Sequence, residues 1–391
     1  MVQGILTQVR EWRKREGSAR RGSNSGEAGL LWRPAAGWHR LWLLCVLMLC
    51  FWSPAHAARV RIEKDAPPPP PPDLLLPAGR KLSFERTFES DQEVGRKRGF
   101  LTKLVDIVIG EPDRHRLMRP YGIAVDSRGR AIVTDPGAAG IHIFDFAQHK
   151  YKFIERRDKD ENSLRAPQSV AVDAEDNIYA TDSEGGRIFV FNAEGKFKRT
   201  IGSLRHGEGY FKRPTGIAVD SAAQRIYVTD TLRDKIFVLD MEGHVLQTIG
   251  TSGSQPGEFN FPTELLLHGN EIAVVDAMNF RVQVFDRSGK LQYMVGTAGD
   301  GPGTFFRPKG IAFDSEGHLY VVDAAWSTVQ VFNQQGDLLY YFGTRGAGPG
   351  TFELPSGLFI TRDDRVYVVD SYNSRVQVFH YFAKRSAGGE Q

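Results

Sequence analysis

Cysteine is nearly absent from this 391-residue chain. The two that occur, Cys45 and Cys50, both lie in the apolar run LWLLCVLMLCFW, and none follows. A disulfide framework and a cysteine zinc site are thereby excluded from everything beyond that run. Histidine is sparse too, and no two lie at metal-ligand spacing. A long apolar run is missing: residues 41–52 give a 12-residue stretch, short of the roughly 20 a bilayer span requires. Charge of one sign is also missing. The net charge is +3, but residues 1–40 hold eight Lys or Arg against three Glu, which leaves the remainder at −2. A body so charged lacks the broad positive field of a nucleic-acid binder. No glycine-rich sequence follows a strand and opens a helix, so the glycines are not a phosphate loop.

What the first part of the chain does contain is the grammar of export. A basic start precedes the apolar run, and SPAHA follows with Ala55 and Ala57 in an A-x-A arrangement. We expect residues 1–57 to be a signal peptide or, if uncleaved, a membrane anchor through 41–52. The protein is then exported, and periplasmic or envelope-associated. A lipoprotein is disfavoured because bulky Leu49 precedes Cys50. Pro67 to Pro72 favour a stiff polyproline II rod. Residues 58–99 therefore read as a linker, with or without a role as a spacer.

Beyond the linker the sequence repeats itself. A Pro-x-Gly-Ile-Ala-Val-Asp pattern starts at Pro120, Pro167, Pro214, Pro262, Pro308 and Pro355, at steps of 47, 47, 48, 46 and 47 residues. An aspartate follows in each copy: Asp135, Asp182, Asp230, Asp276, Asp323 and Asp370. Then come IHIFD, RIFVFN, KIFVLD, RVQVFD, TVQVFN and RVQVFH. Each copy holds four short runs rich in Val, Ile, Phe and Tyr, which favour strands. Tight-turn sequences such as DSEG (314–317) and NQQG (333–336) separate them. One four-stranded sheet cannot bury both faces, but six arranged radially can. The pattern predicts an all-β fold, a six-bladed β-propeller over residues 100–383, with 384–391 a flexible tail. The last copy has three strands of its own. KLVDIVIG, 103–110, reads as an N-terminal strand that completes the last blade and closes the ring.

The repeat resembles the NHL repeat, most closely in VVDAMNFRVQVFD (274–286) and VVDSYNSRVQVF (368–379). The whole is similar to bacterial cell-envelope proteins that carry one NHL propeller behind a signal and a linker. No RING, B-box or coiled-coil region of the animal NHL proteins is present. The resemblance implies a platform for binding. It also implies an alternative, since related propellers include amidating lyases, gluconolactonase-like metal enzymes and lyases that open lactone rings. These place His and carboxylates around a channel metal.

Positions shared by all copies read as scaffold. The repeated Asp and the Arg or Lys five residues later (Arg187, Lys235, Arg281, Arg375; Gly140 and Thr328 break the series) read as a brace for a hairpin, with a cation-binding ring of carboxylates as the alternative. Positions that vary at the channel mouth read as site. The residue after the anchor proline is Tyr121, Gln168, Thr215, Thr263, Lys309 or Ser356. The next is Gly in four copies, Ser169 in one and Glu264 in one. Tyr121, Gln168, Arg213, Glu264, Arg307 and Lys309 make a polar, asymmetric mouth such as a ligand site needs. Phe259, Phe305 and Phe352 recur at one repeat position and read as packing. Trp326 and Tyr372, in hairpin loops, are candidate partner contacts. For a metal the mouth offers only Glu264. His268 lies at the far end of that strand and His206 in a loop. We expect a non-catalytic scaffold with a protein or carbohydrate partner, no nucleic acid, no evident cofactor, a channel metal left open, and a monomeric ring.

Overall fold

The computed structural model describes residues 69–95, 115–155, 163–202 and 211–383, all within one compact unit, residues 67–391. Residues 1–57, the 103–110 segment, His206 and 384–391 lie outside the described residues. Six antiparallel sheets follow one another along the chain. Blade 4 shows the pattern: Pro262–His268, Glu271–Asp276, Arg281–Asp286 and Leu291–Val295, paired in that order from the innermost strand outward. The innermost strands touch in cyclic order, blade 1 against 2 and so on round to blade 6 against 1. The ring is closed.

The strand sequences follow from this packing. Second and third strands are sandwiched between neighbouring blades, so Glu271–Asp276 and Arg281–Asp286 are buried at four or more successive positions. The outermost strand faces solvent on alternate residues, and Leu338–Phe342 and Leu291–Val295 alternate accordingly. Between blades the core forms six apolar clusters, each shared by two adjacent sheets. The turns form as expected. Asp314 Oδ1 accepts the Glu316 and His318 N–H groups at 3.0 and 2.9 Å, and Gly317 takes φ +79°.

The sixth sheet departs from the expectation at its outer edge. Leu358–Ile360, Arg365–Asp370 and Arg375–Phe382 come from the last repeat, and the fourth position is held by Lys81–Phe88. Lys81 faces Phe382 and Phe88 faces Val376. That strand lies inside the 58–99 stretch read as linker, so the folded unit begins earlier than residue 100. Its alternation of Leu82, Phe84 and Phe88 was masked in the sequence by charged neighbours and by the adjacent prolines. Leu82 and Phe88 are buried, and the Phe84 ring meets Phe379 at 5.6 Å.

The six repeated aspartates are fully buried. Each accepts backbone N–H groups from the loop that leads into the innermost strand of its own blade. Asp135 takes Met118 and Arg119 at 2.6 and 2.9 Å, Asp230 takes Lys212 and Arg213 at 2.7 and 2.9 Å, and Asp323 takes Phe306 and Arg307 at 2.7 and 3.1 Å. The carboxylates are braces, with their oxygens committed to N–H donors. In blades 4 and 6 an arginine completes the brace, with Arg281 and Arg375 Nε at 2.8 and 2.7 Å from the carboxylate. In blade 1, where Gly140 replaces it, His142 approaches Asp135 at 3.5 Å. We expect Asp370→Ala to lower unfolding free energy by about 3–5 kcal/mol, because it strands the buried Arg375 without its partner. Urea unfolding followed by far-ultraviolet circular dichroism measures this, and a loss under 1 kcal/mol would refute the brace.

Candidate functional site

In the innermost strands of blades 2 to 5 the ladder to the second strand breaks just after the proline. The register shifts between Pro167 and Val170, Pro214 and Ile217, Pro262 and Leu265, and Pro308 and Ile311. The residues in each break are freed from their own sheet. Their backbones approach the next blade instead, which explains the recurring glycine. A Cβ on Gly216 would lie 2.6 Å from the Thr263 carbonyl oxygen, and one on Gly310 2.4 Å from that of Ser356. At these two positions a side chain would collide with the backbone of the next blade.

Two blades break this glycine rule, and the structure brings the two exceptions together. Ser169 Oγ of blade 2 donates to Glu264 Oε1 of blade 4 at 2.9 Å, passing across blade 3. The same oxygen accepts the Leu265 N–H at 3.2 Å. A second bridge lies on the opposite side of the axis. Lys309 Nζ of blade 5 meets the Tyr121 hydroxyl of blade 1 at 3.1 Å, passing across blade 6, and stands 5.2 Å from that ring's centre. Ser356 Oγ, between them, donates to the Tyr121 carbonyl at 2.7 Å.

Glu264 is half-buried and lines the channel lumen. Burial pushes its carboxyl up to about 7, against the opposing pull of Ser169, the Leu265 N–H and the Lys309 charge. The carboxyl lines a cavity of about 520 Å³ with walls from all six blades. His268 and Arg362 line it at the other end, both exposed. His268 stacks on Phe313 at 4.4 Å between ring centres. Glu264 and His268 are thus at opposite ends of one strand. Among the described residues no three His, Cys, Asp or Glu side chains converge as a metal site would require.

The other candidates lie on the face that carries the second-to-third-strand hairpins. Gln168 and Arg213 line a groove of about 540 Å³ there, joined by Arg119, Arg165 and Lys212, with Glu184 the one acid in its wall. Arg119 Nη2 donates to the Tyr372 hydroxyl at 2.7 Å and lies over that ring. Arg307 is held by its backbone to Asp323 and Ala324. Trp326, in the hairpin loop of blade 5, is 38 % exposed. Phe259, Phe305 and Phe352 are fully buried, each beside a left-handed glycine, so packing is their role. The sequence reading passed over Ser169 as a site residue and missed Arg119, Arg165 and Lys212. The signal was there: three of these four stand one or two places before an anchor proline, the column that also holds Arg213 and Arg307.

A family model described as a six-bladed beta-propeller matches residues 126–252, 221–282 and 260–325, and the NHL repeat model matches 352–379. The chain belongs to the six-bladed β-propeller family. Among solved propellers, virginiamycin B lyase from Staphylococcus aureus is similar at 13% identity and TM-score 0.51, over 77% of this chain and 99% of that one. An auxiliary nutrient binding protein from Bacteroides thetaiotaomicron is similar at 15% identity and TM-score 0.53, over 67% and 69%. A protein of unknown function from the same species matches at 14% identity and TM-score 0.53, over 80% and 84%. At such identities the likeness concerns the propeller fold alone. No curated protein matches the sequence.

The Glu264 carboxyl gives a pH test. Its pKa is raised by folding, so its contribution favours the folded state below the ordinary value of 4.5 and is lost as pH rises to about 7. Relative to wild type, Glu264→Gln should gain up to roughly 3 kcal/mol of stability between pH 4.5 and 8. Urea midpoints across that range measure it. A constant difference between the two proteins would place the carboxyl at its ordinary value.

Proposed function

We propose that this propeller is a non-catalytic binding protein that docks a protein partner on its hairpin face. The observation that carries this reading is a half-ring of exposed apolar side chains on that face. Phe261 and Met278 belong to blade 4, Phe306 and Trp326 to blade 5, Tyr372 to blade 6 and Met118 to the loop leading into blade 1, and they are between 38 % and 62 % exposed. Hydrogen bonds tie these loops to one another: Met278 N–H to the Asn260 carbonyl, Ser374 Oγ to the Met118 carbonyl, Phe261 N–H to Asp234 of blade 3. Apolar side chains held on braced loops lose little further freedom on binding. The other half of the face is the groove with Arg119, Arg165, Lys212 and Arg213. A partner with an apolar patch flanked by acidic residues is complementary to both halves. A secreted address, from the sequence before residue 58, places that partner in the cell envelope in this reading, with the protein there as a monomeric ring.

A second reading draws on Glu264: a carboxyl near neutrality at a channel mouth suits acid–base chemistry, as in a lyase or lactonase. The described residues do not fit a metal there, so the metal-dependent form has no support. Fold likeness cannot choose, because a lyase and a nutrient binding protein share this architecture.

Photo-crosslinking amino acids placed at Phe306, Trp326 and, for contrast, Arg362 test the first reading in the native host. Adducts of one fixed mass are expected from the first two positions and not from Arg362. They should vanish in a Phe261→Ser, Met278→Ser background. Adducts from all three alike, or from none, would sink the docking face and leave a lactone and peptide-amide substrate screen, with Glu264→Gln as its control, to judge the second reading.

A further inference from the structure

The central channel shares no lining residue with the groove of the docking face. Its walls come from the innermost strands, including Val170, Ile217, Leu266, Ile311, Leu358 and Phe359. One end is crossed by the Ser169–Glu264 and Tyr121–Lys309 bridges, and the other carries exposed His268 and Arg362. Glu264 and His268 are four residues apart along one strand, a span of about 13 Å. The cavity, about 520 Å³, has the size of small-molecule sites.

The two carboxyl oxygens of Glu264 differ. Oε1 accepts from Ser169 and from the Leu265 N–H, whereas no donor among the described residues reaches Oε2. A half-buried carboxyl oxygen without a donor from the protein is an open acceptor for a donor that arrives from elsewhere. Serine at 169 holds the carboxyl against the blade 2 wall and leaves the second oxygen to the lumen. A cation seated there would meet a half-buried carboxylate, where pairing is stronger than at a fully exposed surface. Lys309 is near enough to pull on the carboxyl electrostatically but makes no ion pair with it. At the opposite end Arg362 disfavours a second cation.

We propose that the channel binds an elongated apolar monoamine, with its ammonium on Glu264 Oε2 and its hydrocarbon body along the blade walls. Octylamine is the probe, since an eight-carbon chain suits the span. Octan-1-ol shares the tail without the charge, and octanoate reverses the charge. Titration calorimetry on the full chain at pH 8 should show one site for octylamine and much weaker binding of the other two. Glu264→Gln should weaken octylamine at least tenfold, the scale set by removing one partner of a half-buried charged pair. Lys309→Met should tighten it about threefold by removing a competing cation. Neither change should alter octanol binding. Thermal unfolding of each variant separates loss of site from loss of fold. Equal binding of amine and alcohol, an octylamine affinity indifferent to Glu264→Gln in a folded variant, or no octylamine binding at millimolar concentration would overturn the proposal. None of these outcomes bears on the crosslinks from Trp326 and Phe306, so the channel and the face stand or fall separately.

Discussion

Six aspartates, one at the end of each second strand, hold the ring to its shape. Each is buried and each accepts the N–H groups of the loop that delivers its blade's innermost strand. A buried carboxylate is tolerable only when its oxygens are taken up by donors. Here the donors are backbone groups beside the carboxylate, at the start of the adjacent strand, but sixteen to eighteen residues away in sequence. The brace therefore fixes where each proline sits and, with it, the residues on either side. One and two places before the proline lie the side chains of the hairpin face. One and two places after it lie those of the channel mouth. Both candidate surfaces are positioned by the same carboxylate.

The blades are not equivalent, and the inequivalence is orderly. Blades 4 to 6 share a glutamine in the third strand that clamps a Pro-Gly loop. Gln283, Gln330 and Gln377 each accept a glycine N–H and donate to a carbonyl of that loop. Blades 1 to 3 instead use a threonine just before the aspartate. Thr181 and Thr229 donate to the innermost strand of the next blade at 2.6 Å. One half of the ring is tied by its outer loops and the other by its inner strands. The apolar sector of the hairpin face lies mostly over the first kind, and the basic groove over the second.

Much of this was legible in the sequence because a propeller is written in repeats. The period gave the blade count, the Val and Ile runs gave the doubly buried strands, and the shared aspartate announced a task common to all blades. Glu264 stood out because it replaces a glycine. Its partner did not, because Ser169 looks like a conservative stand-in for glycine and the contact spans 95 residues. The outer strand of blade 6 was misplaced for a different reason. Lys81–Phe88 belongs to no repeat, and five of its eight residues are polar because one of its faces looks outward. The more regular 103–110 segment drew the assignment away from it. Residues that act across the ring axis, or that complete a repeat from outside it, leave no periodic trace.

The sixth sheet joins residues near the two ends of the described chain, with Lys81 opposite Phe382. Five blades can form their hairpins from contiguous sequence as it leaves the ribosome. The last cannot, since its outer strand must wait for a partner about 300 residues downstream. Until that partner arrives, the ring is an open arc with the unpaired flanks of two blades uncovered, and the Lys81–Phe88 strand, paired only with Leu74–Leu75, leaves Phe88 unburied. Closure is therefore the last step of folding, and the final pairing is the kinetic latch of the whole molecule.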